Sequence, residues 1–144
     1  MRAHLAWGRF ALGLVFLVSG LSKLVNYSSV HQSLLAEGVL WPSLSLPIAL
    51  TVEIAGSLLL ILGYRTKTVA ALLALYLIPV TWVFHPFWEK TGIARQQELT
   101  QFLKNLSILG GLTLTYAYQR ILDSFTAGTL SNIRRDTYEK RKAA

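Results

Sequence analysis

The stretch Leu46–Gly63, LPIALTVEIAGSLLLILG, carries one ionisable side chain, Glu53, in 18 residues. A helix that crosses the hydrocarbon core of a bilayer needs about 20 mainly apolar residues, because the core is about 30 Å thick and each residue rises about 1.5 Å. The stretch therefore reads as a membrane span, and as a span that has to accommodate a carboxylate. Immediately after it, Gly63 is placed as a helix C-cap and Tyr64–Lys67 forms a tight polar turn. A second apolar run, Thr68–Phe84, follows, so the two read as an antiparallel hairpin.

Two more runs of the same kind lie outside this hairpin. Leu5–Val25 precedes it and Leu99–Tyr118 follows it. Arg2 and Arg9 ahead of an apolar run also admit a signal-peptide reading, but no small-x-small cleavage site follows, so the run is taken as a first span. The expected fold is all-α, a four-helix transmembrane bundle with spans at about 5–25, 46–63, 68–84 and 99–118. Residues 1–120 form the membrane domain and 121–144 a basic cytoplasmic tail.

Composition agrees with a membrane protein. Of 144 residues, 53% are hydrophobic and 15% charged, with a mean hydropathy of +0.45, whereas soluble domains are about a quarter charged. There is no cysteine, which excludes disulfides, thiolate metal sites and dithiol relays. The net charge of +7 is spread between and after the apolar runs and forms no aromatic-interleaved stripe, so it fits lipid headgroups and not nucleic acid. With both termini cytoplasmic, the inner side holds Arg2, Arg9, Arg65, Lys67, Arg120, Arg134, Arg135, Lys140, Arg141 and Lys142. The outer side then holds only Lys23, Lys90, Arg95 and Lys104. Arg9, Arg65 and Lys67 are thereby topology anchors in the cell (inner) membrane.

The first outer loop, Asn26–Ser45, spaces Val30, Leu34 and Leu35 as a short amphipathic helix in the outer interface, with Trp41 as a belt residue. Phe87 and Trp88 anchor the second outer loop, and Trp7 and Trp82 also read as belt aromatics. Pro79 is expected to kink the third span.

An ionisable side chain in hydrocarbon is costly unless it is paired or snorkels, which makes such residues informative. Helical spacing gives each span a small or polar face. These are Arg9, Gly13, Phe16, Gly20 and Lys23 in the first and Glu53, Gly56, Leu60 and Gly63 in the second. In the third they are Ala71, Ala74, Ile78, Thr81 and His85, and in the fourth Lys104, Ile108, Gly111 and Thr115. Lys23, Glu53, His85 and Lys104 all fall in the outer half of the bilayer, near the level of Ser19, Ser22, Thr81 and Asn105. They are expected to converge, with Glu53 paired to Lys104 or Lys23. Two readings of that cluster stay open. It is a buried ion pair that fixes helix packing, or it is a pocket for a quinone headgroup or a proton relay.

The histidines His4, His31 and His85 give neither zinc-ligand spacing nor an axial haem pair. No metal and no intrinsic cofactor is expected; quinone is the one exogenous ligand suggested.

The motifs Gly8-Arg9 with Val18-Ser19-Gly20-Leu21-Ser22-Lys23, Glu53-Ile54-Ala55-Gly56 leading to Leu62-Gly63-Tyr64-Arg65-Thr66, His85-Pro86-Phe87-Trp88, and Phe102-Leu103-Lys104-Asn105-Leu106 with Gly110-Gly111 occur in a set order. In that order the chain resembles the DoxX family of small four-helix membrane proteins over most of residues 5–120. The family includes a subunit of thiosulfate:quinone oxidoreductase. The resemblance implies a membrane subunit associated with an oxidoreductase complex, working with other membrane protein subunits. It draws attention to Lys23, Glu53, His85, Lys104 and Asn105. The alternative is a non-catalytic accessory or assembly subunit.

Overall fold

The computed structural model describes residues 2–143. The side chains of Arg2, Asp136, Thr137, Lys140 and Ala143 lie outside that set, so the expected inner-side charges Arg2 and Lys140 are not placed. The described chain is helical throughout: α1 (Arg2–Val25), α2 (Tyr27–Ala36), α3 (Pro42–Leu62), α4 (Thr66–Phe84), a 3₁₀ turn (Phe87–Glu89) and α5 (Gly92–Ala143). Helices α1, α3 and α4 are long and apolar enough to cross a membrane. The run expected as a fourth span is part of α5, where Gln101, Lys104 and Asn105 interrupt the apolar sequence.

Local chemistry sets the helix ends. α3 begins with Pro42, whose missing N–H costs nothing in a first turn. It ends on Gly63 at φ +75°, where the Gly63 N–H donates to the Leu60 carbonyl and the Tyr64 N–H to that of Leu59. That is a Schellman motif, as the glycine led one to expect. The α1–α2 joint is a single residue, Asn26, whose Nδ2 donates to the Ser22 carbonyl at 2.9 Å. Leu34 of α2 is buried, while Leu35 and Trp41 are exposed. α4 runs through Pro79 as unbroken helix. Trp82, Trp88, Phe87 and Phe102 form one aromatic cluster with centroids 4.7 to 6.3 Å apart, which ties the 3₁₀ turn to α4 and α5. Trp88 therefore packs on other rings as well as facing outward, which the belt reading alone did not include.

α1 packs chiefly on α3, and α4 chiefly on α5, with α3 against α4 completing the core. Glycine makes the α1–α3 approach close. A Cβ on Gly13 would sit 2.6 Å from Ile61 Cγ1, and one on Gly20 would sit 2.8 Å from Ile54 Cγ1. Phe16, Leu60, Val69, Ala70, Leu73, Leu77, Ile108 and Leu112 form the core. Large apolar side chains such as Leu58, Leu72, Leu75 and Ile78 point outward, as a lipid-facing surface requires.

The expected inward faces hold for α1 and largely for α3, but not for α4. The buried positions of α4 are Thr66, Val69, Ala70, Leu73 and Leu77, while Ile78 is exposed. Burial there follows side-chain fit against α3 and α5 rather than the run of small residues. On α5 the buried stripe is Asn105, Ile108 and Leu112, so Lys104 lies at its edge and is exposed. The basic tail is no separate segment; it continues α5 as helix, with residues 120–135 exposed.

Candidate functional site

Glu53 sits within α3, facing α1 and α4, and is 2% exposed. Its carboxylate accepts three hydrogen bonds from two donors. Lys23 Nζ, near the end of α1, donates to both oxygens at 2.8 Å, and the Tyr76 hydroxyl of α4 donates to Oε1 at 2.7 Å. Lys23 Nζ also reaches Ser19 Oγ at 2.6 Å, one helical turn earlier on the same face. Charge, hydrogen bonds and depth are thus matched, which is what makes a carboxylate tolerable away from water.

The expected choice of partner for Glu53 resolves to Lys23. Lys104 instead donates to Gln101 Oε1 on its own helix. Both lysines nevertheless line one cavity of 560 Å³, together with Glu53, Tyr76, His85 and Asn105. Its remaining walls are mainly apolar, with Phe16, Leu34, Leu77 and Ile108 among them, and also include Ser19, Ser33 and Ser45. Asn105 is 8% exposed and its amide makes no hydrogen bond among the described residues. His85, at the end of α4, holds Glu98 Oε2 through Nδ1 at 2.8 Å. Of the other polar residues expected at this level, Ser19 takes part. Ser22 is exposed, and Thr81 bonds the Leu77 carbonyl and does not line the cavity.

Tyr76 and Glu98 were missed by reading the sequence. Glu98 belongs to a stretch read as loop. Tyr76 carried a signal, since a tyrosine inside an apolar span needs a partner for its hydroxyl. It lies eight residues before Phe84, about 12 Å from the C-terminal end of α4, the level expected for Glu53.

The residues expected to be topology anchors lie at the other end of the bundle. Arg65 holds a left-handed conformation (φ 45°) ahead of α4, and Lys67 pairs with Asp123 Oδ2 at 2.8 Å. Asp123 also accepts from Gln119. The Lys67 hydrogen bond, with that of Gln119 second, holds the Asp123 carboxyl below its ordinary value of 3.8. Among the described residues, no group of three or more His, Cys, Asp or Glu side chains is placed to hold a metal ion.

The DoxX family profile matches residues 4–86, more than half of the chain. The chain belongs to the DoxX family. It is a multi-pass protein of the cell (inner) membrane. Two Escherichia coli (strain K12) proteins are similar to it. Inner membrane protein YphA is 30% identical over 106 residues, covering 74% of this chain and 76% of YphA. Inner membrane protein YqjF is 28% identical over 122 residues, covering 80% and 88%. No solved structure matches. The DoxX match includes Lys23, Glu53, Tyr76 and His85 but ends before α5, which carries Lys104 and Asn105.

Proposed function

We propose that this DoxX protein is a membrane subunit associated with an oxidoreductase complex, and that the cavity beside Glu53 receives a quinone headgroup. The observation that carries the reading is a half-satisfied polar wall inside a mainly apolar cavity. The Lys23–Glu53–Tyr76 network is complete, whereas the Asn105 amide faces the same space without a partner. A volume of 560 Å³ falls within the range of small-molecule sites, about 300–1,000 Å³. A cluster serving packing alone would leave no such space.

A quinone presents two carbonyl oxygens at opposite ends of a flat apolar ring. Asn105 Nδ2 and the Lys104 ammonium are donors for such oxygens, and Phe16, Leu77 and Ile108 suit the ring. Reduction of a quinone takes up two electrons and two protons. The electrons would come from a partner subunit that carries a redox cofactor. Tyr76, Glu53 and Lys23 form a hydrogen-bonded line along which protons could reach the ring from the edge of the cavity.

In this reading the chain crosses the membrane four times, with α5 crossing near residues 99–118, both termini cytoplasmic and α2 in the outer interface. Residues 1–120 are the membrane domain and 121–144 a cytoplasmic basic extension.

The test is Glu53→Gln in the complex purified with its natural partners. The amide keeps the size of the side chain but cannot serve as a carboxylate. Quinone-linked activity is expected to vanish while the complex still assembles. Full activity in that variant would sink the proposal, and a variant that assembles only poorly would move the cluster to the packing role.

A further inference from the structure

The α1–α5 seam holds a second cavity, about 14 residues along α1 from Lys23 and so about 21 Å away. It measures 340 Å³ and is lined by His4, Arg9, Thr66, Tyr118 and Gln119, with leucines between them. No carboxylate contributes to its wall.

Arg9 is held there by close contact. A Cβ on Gly63 would lie 3.0 Å from the Arg9 Cζ and Nη2, so the guanidinium is pressed against the glycine that ends α3. Its Nε is buried and has no hydrogen-bond partner, and among the described residues no acid is paired with it. A guanidinium stays charged at every physiological pH, so it cannot escape burial by losing a proton. Lys67, the neighbouring cation, is already paired with Asp123.

A second group points to the same kind of ligand. Thr66 is 5% exposed and lines the cavity, and its hydroxyl makes no hydrogen bond among the described residues. It is also the first residue of the 19-residue helix α4, whose preceding residue, Arg65, provides no side-chain cap. The first amides of α4 are therefore without intrahelical acceptors, and the positive end of the helix dipole lies at this wall. A fixed cation, an unpaired hydroxyl donor and a helix N-terminus around one space, with no anion among them, are complementary to an oxyanion.

We propose that this cavity is a phosphate-binding site, in which Arg9 grips the phosphate oxygens and Thr66 donates the second contact. Two sources can bring that group: the headgroup of an anionic phospholipid, and a free phosphate compound. The leucines of the wall suit the glycerol and first methylenes of a lipid.

Native mass spectrometry of the full-length protein in mild detergent tests this, with phosphatidylglycerol titrated in one arm and inorganic phosphate in the other. Retention of phosphatidylglycerol by the wild type is expected to weaken about tenfold or more in Arg9→Gln, the loss of a charged hydrogen-bonding partner. Thr66→Val, which keeps the buried shape, is expected to weaken it severalfold, and Lys67→Gln to leave it unchanged. If inorganic phosphate binds with the same dependence on Arg9 and Thr66 and displaces the lipid, the phosphate site stands and the free compound is its ligand. Equal retention by wild type and Arg9→Gln in both arms overturns the proposal. Should Arg9→Gln fail to accumulate, Thr66→Val decides alone, and unchanged binding in it is equally fatal.

Discussion

Replacing Lys23 by methionine removes the cation but keeps the length and most of the packing of the side chain. The Glu53 carboxylate, 2% exposed, would be left with the Tyr76 hydroxyl as its only partner. Leaving one member of a buried pair uncompensated costs about 3–5 kcal/mol. The Lys23 side chain is 26% exposed, so the pair is partly wet and the lower end, about 3 kcal/mol, applies. The reverse change is milder. In Glu53→Met the ammonium keeps Ser19 and can extend toward the headgroups, at a cost of about 1–2 kcal/mol. The double variant has no orphaned charge and is expected to fall about 2 kcal/mol short of the combined loss of the single variants. Equilibrium unfolding from mild detergent into SDS, followed by tryptophan fluorescence, measures all four free energies. Strictly additive losses, or a Lys23→Met variant as stable as the wild type, would refute the claim that this pair is energetically coupled.

Other outcomes follow from the same geometry. Tyr76→Phe deletes one donor to a buried carboxylate and is expected to cost about 1.5–3 kcal/mol in the same assay, with no loss of helix by circular dichroism. The Asp123 carboxyl, read by carbon NMR, is expected to titrate below 3.8 and to move back toward that value in Lys67→Gln. Because its pKa is lowered in the folded protein, its tie to Lys67 is present above the ordinary carboxylate range and is lost as pH falls through the lowered value. The chain has no cysteine, so single-cysteine labelling is free of background. Lys90→Cys is expected to react with an impermeant maleimide from outside the cell and Ser131→Cys only from inside. Labelling of both from one side would mean that α5 does not cross.

Much of the bundle could be read from spacing alone, because a helix in hydrocarbon has few ways to hide a charge. Glu53, Lys23 and Ser19 meet as their helix faces led one to expect, and the Gly63 cap needed only one residue to be recognised. The failures have a common physical origin. On α4, small residues were taken as the mark of an inward face, yet Leu73 fills the space left by Gly56, and the packing rotates Ile78 outward. Lys104 was one of two partners expected for Glu53, but a long side chain at the edge of a face can turn to Gln101 on its own helix. The continuous helix through residues 120–143 has no counterpart in hydropathy, since Ile121, Leu122, Phe125 and Leu130 are interspersed with polar and charged residues and form no apolar run.

The two cavities lie at opposite ends of the inward face of α1, and the packing explains why. α1 is drawn onto α3 where Gly13 and Gly20 let the backbones approach, and α4 lies along α5. Those two contacts leave α1 and α5 facing each other with little between them except Leu12 against Gly111, where a Cβ would meet the Leu12 side chain at 3.0 Å. That contact lies between the Glu53 cavity on one side and the Arg9 cavity on the other. Close packing of α1 on α3 and of α4 on α5 accounts for the sparse contact along the seam. The polar residues of α1 are placed accordingly. Lys23 and Arg9 mark the two ends of its inward face, and each lines the cavity at its own end, so the same heptad-like spacing that packs α1 also equips the seam.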